Sequence, residues 1–214
     1  MKDLAERYYL EPAAAFARGH VGACGDDRTA VGGGLDAGLR LYDFKRKELL
    51  PRVRRVLGVL HALQPHNLLD VGSGRGVFLW PLLDAFRELP VTAIDVLDHR
   101  LEVLEAVHDG GVERLDPRRA DVAELPFEDR FFDVATVLEV LEHLREPGRA
   151  VRELLRVSRR FVIASVPSKK DDNPEHIQLF DAAGFADLFR DNGAADVQME
   201  HVLNHRVAVA KVAP

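Results

Sequence analysis

From residue 67 onward, hydrophobic and polar positions alternate between short β-type runs and amphipathic helical stretches. The strands are predicted at residues 67–71, 91–95, 116–121, 133–138 and 160–166, with helices near 76–88, 98–108, 140–145 and 148–158 between them. This alternation is typical of a parallel sheet built from crossover units. A helix near 181–192 and two further strands, 197–202 and 206–212, predict a closing antiparallel hairpin. Pro81 should kink the first crossover helix or delay its start.

The first 64 residues follow a different pattern. Apolar residues recur at helical spacing from Leu49 to Leu60, which predicts a helix over residues 42–63 with one face on the core. Residues 19–38 are rich in glycine and have little periodicity, so they are predicted to form a loop or lid. We therefore expect an N-terminal lid and helix over residues 1–64 and an α/β domain over residues 65–214.

Composition and charge narrow the class of protein. Of 214 residues, 47% are hydrophobic and 30% are charged, and no apolar run approaches the roughly 18 residues of a membrane span. The charged first residues lead into no apolar segment, so we expect no secretory signal and a cytoplasmic location. The single cysteine, Cys24, can form neither an internal disulfide nor a zinc site. A net charge of −6 argues against a nucleic-acid partner, and the basic run between Lys45 and Arg55 is best explained as a solvated helical face.

A glycine loop follows the first predicted strand. Asp70 stands two positions before Gly72, and further glycines follow at positions 74 and 76. Such a loop lets backbone N–H groups approach a ligand, but the dinucleotide fingerprint would place its third glycine at position 77, where the chain has Val77. A carboxylate at Asp70 would repel a pyrophosphate, whereas it suits a ligand with an ammonium and a sulfonium. S-adenosylmethionine is such a ligand, so it is the predicted cofactor, and a nicotinamide oxidoreductase is disfavoured.

Two later segments support this prediction. Asp95 ends the second predicted strand, where a carboxylate can accept hydrogen bonds from both ribose hydroxyls; it could instead serve the start of the next helix. Asp121 is followed by a Leu125-Pro126-Phe127 turn and a Phe132-Asp133-Val134 strand. Over about residues 66–166, this pattern resembles class I S-adenosylmethionine-dependent methyltransferases of the broad type-11 group, which includes enzymes of ubiquinone and menaquinone biosynthesis.

The resemblance implies a fold and a set of cofactor contacts. The fold would be a doubly wound, mostly parallel seven-stranded sheet in the order 3-2-1-4-5-7-6, with the last strand antiparallel and helices on both faces. The resemblance also implies that Asp121 binds the adenine amino group and that Val122 supplies a backbone N–H. The residues expected to contact the cofactor are Asp70, Gly72, Ser73, Gly74, Gly76, Asp95, Val96, Asp121, Val122 and Leu138.

The segment after the fourth strand carries the candidate acid–base groups. If it is helical, Glu139, Glu142 and His143 share one face, and His143 has a side chain with a pKa suited to a general base; it could also simply pack at a helix end. His176 follows a polar connection at 168–174 and is a candidate substrate contact. Glu139, His143 and His176 are therefore the candidate catalytic residues. The same pattern resembles the divalent-metal site of small-RNA ribose methyltransferases and some quinone O-methyltransferases, although we do not expect a metal.

The predicted chemistry is methyl transfer to a small molecule. Because a sulfonium methyl is already activated, the protein must chiefly align an acceptor and exclude water. We expect the N-terminal segment and the 167–180 loop to form the acceptor pocket, with an oxygen, nitrogen or carbon acceptor all open. Two alternatives remain: a methyltransferase-like protein that binds without catalysis, and an RNA methyltransferase.

Overall fold

The computed structural model describes residues 3–170 and 173–214. Within these residues, one seven-stranded sheet has the order β3-β2-β1-β4-β5-β7-β6. The strands are β1 (Leu68–Val71), β2 (Val91–Asp95), β3 (Leu115–Arg119), β4 (Phe132–Leu138), β5 (Ser158–Pro167), β6 (Ala194–Val202) and β7 (His205–Val212). Strand β4 is parallel to β1 and β5, β2 is parallel to β3, and β7 is antiparallel to both β5 and β6. The predicted strand order and closing hairpin are confirmed.

Helices connect most of the strands and precede the first one. They are α1 (Leu4–Arg7), α2 (Leu10–Val21), α3 (Asp27–Asp36), α4 (Pro51–Leu63), α5 (Leu79–Ala85), α6 (Asp98–Asp109), α7 (Pro147–Val157) and α8 (Ala182–Arg190). A single 3₁₀ turn, Leu141–His143, takes the place of the helix predicted over 140–145. Among the residues described, none of the helices is both long and apolar enough to cross a bilayer.

The chain divides into two compact units, of which the first comprises the described residues up to Leu49 together with Ser73–Arg119. Here α2 lies so close to α6 that only glycine fits at two points of contact. A Cβ on Gly19 would come within 2.1 Å of the Ala106 carbonyl oxygen, and one on Gly110 within 1.8 Å of the Ala15 carbonyl oxygen. The prediction of a loop over residues 19–38 is wrong for most of this range, because Gly19 lies in α2 and Gly32, Gly33 and Gly34 lie in α3. The role of this segment as a lid stays a prediction.

The helix predicted over 42–63 is also shorter than expected. Residues 42–50 form a turn and an extended segment, in which Lys45 makes a β-bridge with Tyr8, and α4 begins at Pro51. A proline at the first helical position is favourable, but it disfavours helical backbone in the residue before it, and Leu50 is extended. Phe44 is buried and packs against Phe16 and Trp80, with ring centroids 5.2 and 4.9 Å apart.

The second unit comprises Leu50–Gly72 and Ala120–Pro214. Strands β1, β4, β5 and β7 supply its buried apolar core, and α7 covers the core with Ala150, Val151, Leu154 and Leu155. Helix α4 is tied to β6 by the two hydrogen bonds of an Arg55–Glu200 ion pair. Parallel strands that share one direction place their carboxyl ends at one edge of the sheet, where open α/β folds bind ligands.

The first crossover helix shows the effect of its proline. Helix α5 was predicted over 76–88 but spans only Leu79–Ala85, with Pro81 as its third residue. Gly76 before it has a left-handed φ of 75°, which is incompatible with helical backbone. The predicted delay of this helix is therefore observed.

Candidate functional site

In the first unit, the glycine loop is fixed by one aromatic side chain. Gly74 and Gly76 have φ values of 55° and 75°, a region that favours glycine. The Trp80 ring occupies the space beside Gly76, since a Cβ there would lie 2.0 Å from its indole nitrogen. That nitrogen donates a hydrogen bond of 3.1 Å to the Arg75 carbonyl. The loop thus has one defined conformation that leaves no room for a larger residue at position 76.

The carboxylate of Asp95 joins this loop to the end of β2. Asp95 is only 8% exposed; one oxygen accepts the Gly74 N–H at 3.2 Å, and the other accepts the Leu97 N–H at 3.0 Å. A carboxylate oxygen can accept two hydrogen bonds, so each oxygen retains capacity for a ligand hydroxyl. Both interpretations of Asp95 are compatible with this geometry, since it contacts the glycine loop and the residue that precedes α6. Val96, directly after it, is 52% exposed.

In the second unit, Asp70 and Gly72 lie at the carboxyl end of β1. Asp70 is 2% exposed and accepts a hydrogen bond of 2.8 Å from the hydroxyl of Thr136 on β4. Gly72 has a φ of 69°, and a Cβ there would lie 2.5 Å from a methyl carbon of Val140. Only glycine lets the chain after β1 pass so close to the chain after β4.

The segment after β3 is organised by Asp121 and by an arginine of α7. Asp121 is exposed, and its carboxylate accepts the Ala123 N–H at 2.8 Å, while Val122 is buried. Arg156 donates to the carbonyl oxygens of Leu125 and Phe127 at 2.9 and 2.8 Å, which anchors the predicted Leu-Pro-Phe turn. Leu138, the last residue of β4, is half-buried. The roles of these residues in cofactor binding stay predictions.

Glu139 lies apart from the groups with which it was expected to share a helical face. Its φ is 59°, so the chain turns sharply at the end of β4, where helical spacing does not apply. Its carboxylate accepts the Ser165 hydroxyl at 2.7 Å and lies 3.1 Å from His205 Nε2 and 3.7 Å from Arg52 Nε. Burial alone would raise the pKa of this carboxyl, but His205, Arg52 and Ser165 together lower it below its ordinary value. Glu139 is therefore a half-buried anion held by partners on three elements.

Glu142, His143 and His176 do come together. Each offers one ligand atom, and these atoms lie within 4.8 Å of one another. The two imidazole rings meet edge to face at 4.8 Å, and Glu142 is 1% exposed. The backbone N–H of Ile177 donates to the Glu142 carbonyl at 3.1 Å, which holds the loop that carries His176. Because Glu139 contacts Arg52 and His205 instead, the set of two carboxylates and two imidazoles expected for a metal is not formed, and we derive no chemistry from a metal.

The orientation of His143 determines which ring nitrogen is basic. Its Nδ1 lies 2.9 Å from the carbonyl oxygen of Glu175. A carbonyl can only accept, so Nδ1 carries the proton in the neutral ring and Nε2 is left as an acceptor. His143 is half-buried, and its ring lies beside that of His176.

A cavity of about 600 Å³ lies against His176. Its lining combines apolar and polar groups, among them Asn173, His176, Ile177, Gln178 and Leu179. Ile177 and Leu179 are 53% and 55% exposed, so they present apolar surface to whatever enters. Asp171 and Asp172 of the predicted polar connection lie outside the described residues.

Comparison with known proteins finds a family model that matches part of the chain. Residues 69–161, less than half of the chain, match the model of the type-11 methyltransferase domain, whose description is "Methyltransferase domain". This segment is therefore similar to a class I methyltransferase domain of type 11. The motifs that resemble this group in the sequence fall in the matched residues, and the resemblance is confirmed.

The methyltransferase domain has relatives with different acceptors in their names. A ubiquinone biosynthesis O-methyltransferase of Nitrosomonas europaea is 30% identical over 109 residues, which cover 50% of this chain and 45% of the relative. A demethylmenaquinone methyltransferase of Renibacterium salmoninarum is 33% identical over 106 residues, covering 50% and 42%. The match thus spans less than half the length of these curated relatives. A solved magnesium protoporphyrin IX methyltransferase from Synechocystis PCC 6803 with bound SAH superposes with a TM-score of 0.61 at 20% identity, covering 76% of this chain and 82% of that one.

Sequence reasoning missed several residues of the second unit. Arg52 belongs to the basic run interpreted above as a solvated helical face, and His205 was given no role, yet both contact Glu139. Neither has a local signal, because each meets Glu139 across more than 60 residues of chain. Thr136 did carry one, since it is a lone hydroxyl in the apolar run of β4 beside Asp70.

Proposed function

We propose that the chain binds S-adenosylmethionine and transfers its methyl group to a hydroxyl of a small-molecule acceptor. The observation that carries the choice of a hydroxyl is the hydrogen bond from His143 Nδ1 to the Glu175 carbonyl, which makes Nε2 a proton acceptor. The match to the methyltransferase domain family supports the cofactor. When bound, the cofactor supplies a methyl group that is already activated on a sulfonium.

The residues proposed to hold the cofactor have the chemistry that it requires. Asp95 keeps hydrogen-bonding capacity for ribose hydroxyls while it holds the glycine loop. Val96 offers exposed apolar surface suited to an adenine ring. Asp70 places a buried carboxylate at the end of β1, where a positive ligand group would be favoured. Asp121 and the Val122 N–H are proposed to recognise the adenine edge, with Gly72, Ser73, Gly74, Gly76 and Leu138 completing the set.

On the acceptor side, His143 is proposed as the general base. An acceptor hydroxyl that reaches Nε2 can give up its proton there while its oxygen forms a bond to the methyl carbon. S-adenosylmethionine would supply the methyl group and would leave with the electron pair of its carbon–sulfur bond. The cavity beside His176 would hold the body of the acceptor through its apolar and amide groups.

The first prediction concerns His143. Replacing it by glutamine should lower kcat for a hydroxyl acceptor by about 10²- to 10⁴-fold, because proton removal loses its base, while cofactor affinity stays the same. Transfer of a labelled methyl group across a panel of hydroxyl, amine and carboxylate acceptors measures this.

The matched control is His201→Gln, since His201 is exposed on β6 and has no place in the proposed site. Full turnover of a hydroxyl acceptor by the His143→Gln variant would contradict the assigned role. Cofactor binding without transfer to any acceptor of the panel would favour the non-catalytic alternative.

A further inference from the structure

Positive groups surround one exposed tyrosine of the first unit. The Tyr42 cluster consists of Tyr42, Lys45, Lys47 and Arg75. Tyr42 is 54% exposed, and the Lys47 ammonium lies 3.2 Å from its hydroxyl and 4.5 Å from the ring centroid. The Lys45 ammonium lies 5.2 Å from the same centroid. The side chains therefore present several N–H and O–H donors on one small surface.

The turn that carries Tyr42 is held on one side by backbone hydrogen bonds. The Lys45 N–H donates to the Tyr42 carbonyl at 3.2 Å, and the Tyr9 N–H donates to the Phe44 carbonyl at 2.9 Å. The Arg46 N–H donates to the Arg7 carbonyl at 2.8 Å. These bonds fix the backbone of residues 42–46 against residues 7–9.

The same turn is joined to the glycine loop through two aromatic rings. Phe44 packs on Trp80, and the Trp80 indole donates to the carbonyl of Arg75. Arg75 lies between Gly74 and Gly76, and its side chain is exposed. Residues 42–47 and Arg75, which are distant in sequence, thus contribute to one surface at the loop proposed to hold the cofactor.

The cations of the cluster differ from Arg46, which lies between the two lysines in sequence, in their carboxylate partners. Arg46 pairs with Asp84 at 2.7 Å. Within the described residues, by contrast, no carboxylate lies within ion-pair distance of Lys45, Lys47 or Arg75. A hydrogen bond from Lys47 lowers the pKa of Tyr42, and the positive charges of Lys47, Lys45 and Arg75 lower it further. Asp43 and Glu48 belong to the same segment, but the cations that act on the phenol are these three, on a chain with a net charge of −6.

We propose that the Tyr42 cluster binds an oxyanion, the carboxylate or phosphate group of a small molecule other than the cofactor. The two lysines supply point charges, and the arginine supplies a planar fork of N–H donors, a combination that suits either group. Arg75 is flanked in sequence by Gly74 and Gly76, two of the residues proposed to bind the cofactor.

Tyr42 itself reports on the cluster without any turnover. The chain has three tyrosines, of which Tyr8 and Tyr9 are buried, and burial raises the pKa of Tyr9. The first phenol to ionise in an ultraviolet titration should therefore be Tyr42, and the step should vanish in the Tyr42→Phe variant. An anion that settles among the cations offsets their charge, so it should move this ionisation to higher pH.

The test uses the whole chain saturated with S-adenosylhomocysteine, with inorganic phosphate or benzoate as the probe and chloride at equal ionic strength as the reference. We expect an upward shift with phosphate, benzoate or both, and the probe that acts shows whether phosphate or carboxylate is preferred. The Lys45→Gln/Lys47→Gln variant should lose the shift. The Arg87→Gln/Lys211→Gln variant removes the same charge elsewhere and should keep it.

Other results would overturn the inference. Absence of a shift with both probes excludes an anion site. A shift that S-adenosylhomocysteine causes by itself, and that the probes do not then increase, assigns the site to the carboxylate of the cofactor. Calorimetry with S-adenosylhomocysteine separates a failure of the proposed function from a failure of the anion site. A chain that binds the probes but not this compound contradicts the proposed function, while the anion site stands.

Discussion

Glu139 shows how a single side chain can be held in a costly conformation. A residue other than glycine in the left-handed region costs about 1–3 kcal/mol, so surrounding contacts must offset that cost. The Glu139 N–H donates to the Ser165 carbonyl at 2.9 Å, and its carboxylate engages Ser165, His205 and Arg52. These contacts join the end of β4 to β5, β7 and α4, which explains why the strained turn persists.

The second prediction is that Glu139→Gln destabilises the protein by about 1.5–3 kcal/mol at neutral pH, the range for hydrogen bonds to charged groups. The pKa of this carboxyl is lowered in the folded state, so its stabilisation is present above the unfolded-state pKa and is lost as the pH falls through the folded-state value. Urea unfolding at neutral pH and at about pH 4, near the ordinary pKa of glutamate, should show the difference between wild type and variant shrinking. Glu128→Gln is the control, since Glu128 is exposed. A difference that does not change with pH would contradict an ionised Glu139.

Sequence chemistry predicted where two carboxylates would lie, while their role in binding stays a prediction. Asp70 and Asp95 lie at the carboxyl ends of β1 and β2, and both are buried there. The shared face of Glu139, Glu142 and His143 was wrong because the expectation assumed a helix where the chain makes a left-handed turn. Arg52 and His205 could not be found, since their contacts with Glu139 depend on tertiary packing.

At the scale of elements, the glycines divide into those that shape turns and those that allow close packing. The glycine loop needs left-handed backbone, whereas Gly19 and Gly110 lie where α2 and α6 meet. Glycine content alone predicted a loop over residues 19–38, because composition does not distinguish these uses. The start of α4 was misplaced because apolar spacing continues upstream of Pro51, whereas a residue before proline disfavours helical backbone, so the helix begins only at Pro51.

The third prediction compares two glycines with similar backbone and different surroundings. Gly38 has a φ of 85°, and a Cβ added there would meet nothing within 4 Å, whereas a Cβ on Gly76 would overlap Trp80. Gly38→Ala should therefore cost about 1 kcal/mol, the backbone penalty alone. Gly76→Ala should cost at least about 2 kcal/mol more, because Trp80 must move and its bond to Arg75 is lost.

Urea unfolding of both variants measures this contrast. Equal losses of stability would show that Trp80 does not confine the loop. We also expect Tyr42 to ionise at the wild-type pH in Gly38→Ala and at a different pH in Gly76→Ala. This result would show that the conformation of the glycine loop affects the Tyr42 cluster.

At the scale of the whole molecule, the alternation of strands and helices and the resemblance to type-11 methyltransferases together predicted the sheet order that the structure shows. The cofactor class followed from the charge of Asp70 and the valine at position 77. The acceptor did not follow, because its contacts come from segments without a motif: the cavity by His176 and the turn at residues 42–47. Those segments now carry two separate proposals, a hydroxyl acceptor beside His176 and an oxyanion site at the Tyr42 cluster.

The central claim is that carboxylates at the strand ends bind S-adenosylmethionine. Calorimetry with this compound on wild type, Asp95→Asn and the exposed control Asp98→Asn tests it most directly. Asparagine keeps an oxygen acceptor for the loop but loses the charge, so we expect affinity about tenfold to 100-fold weaker for Asp95→Asn and unchanged for Asp98→Asn. Equally tight binding by wild type and Asp95→Asn, or no binding by wild type, would contradict the claim.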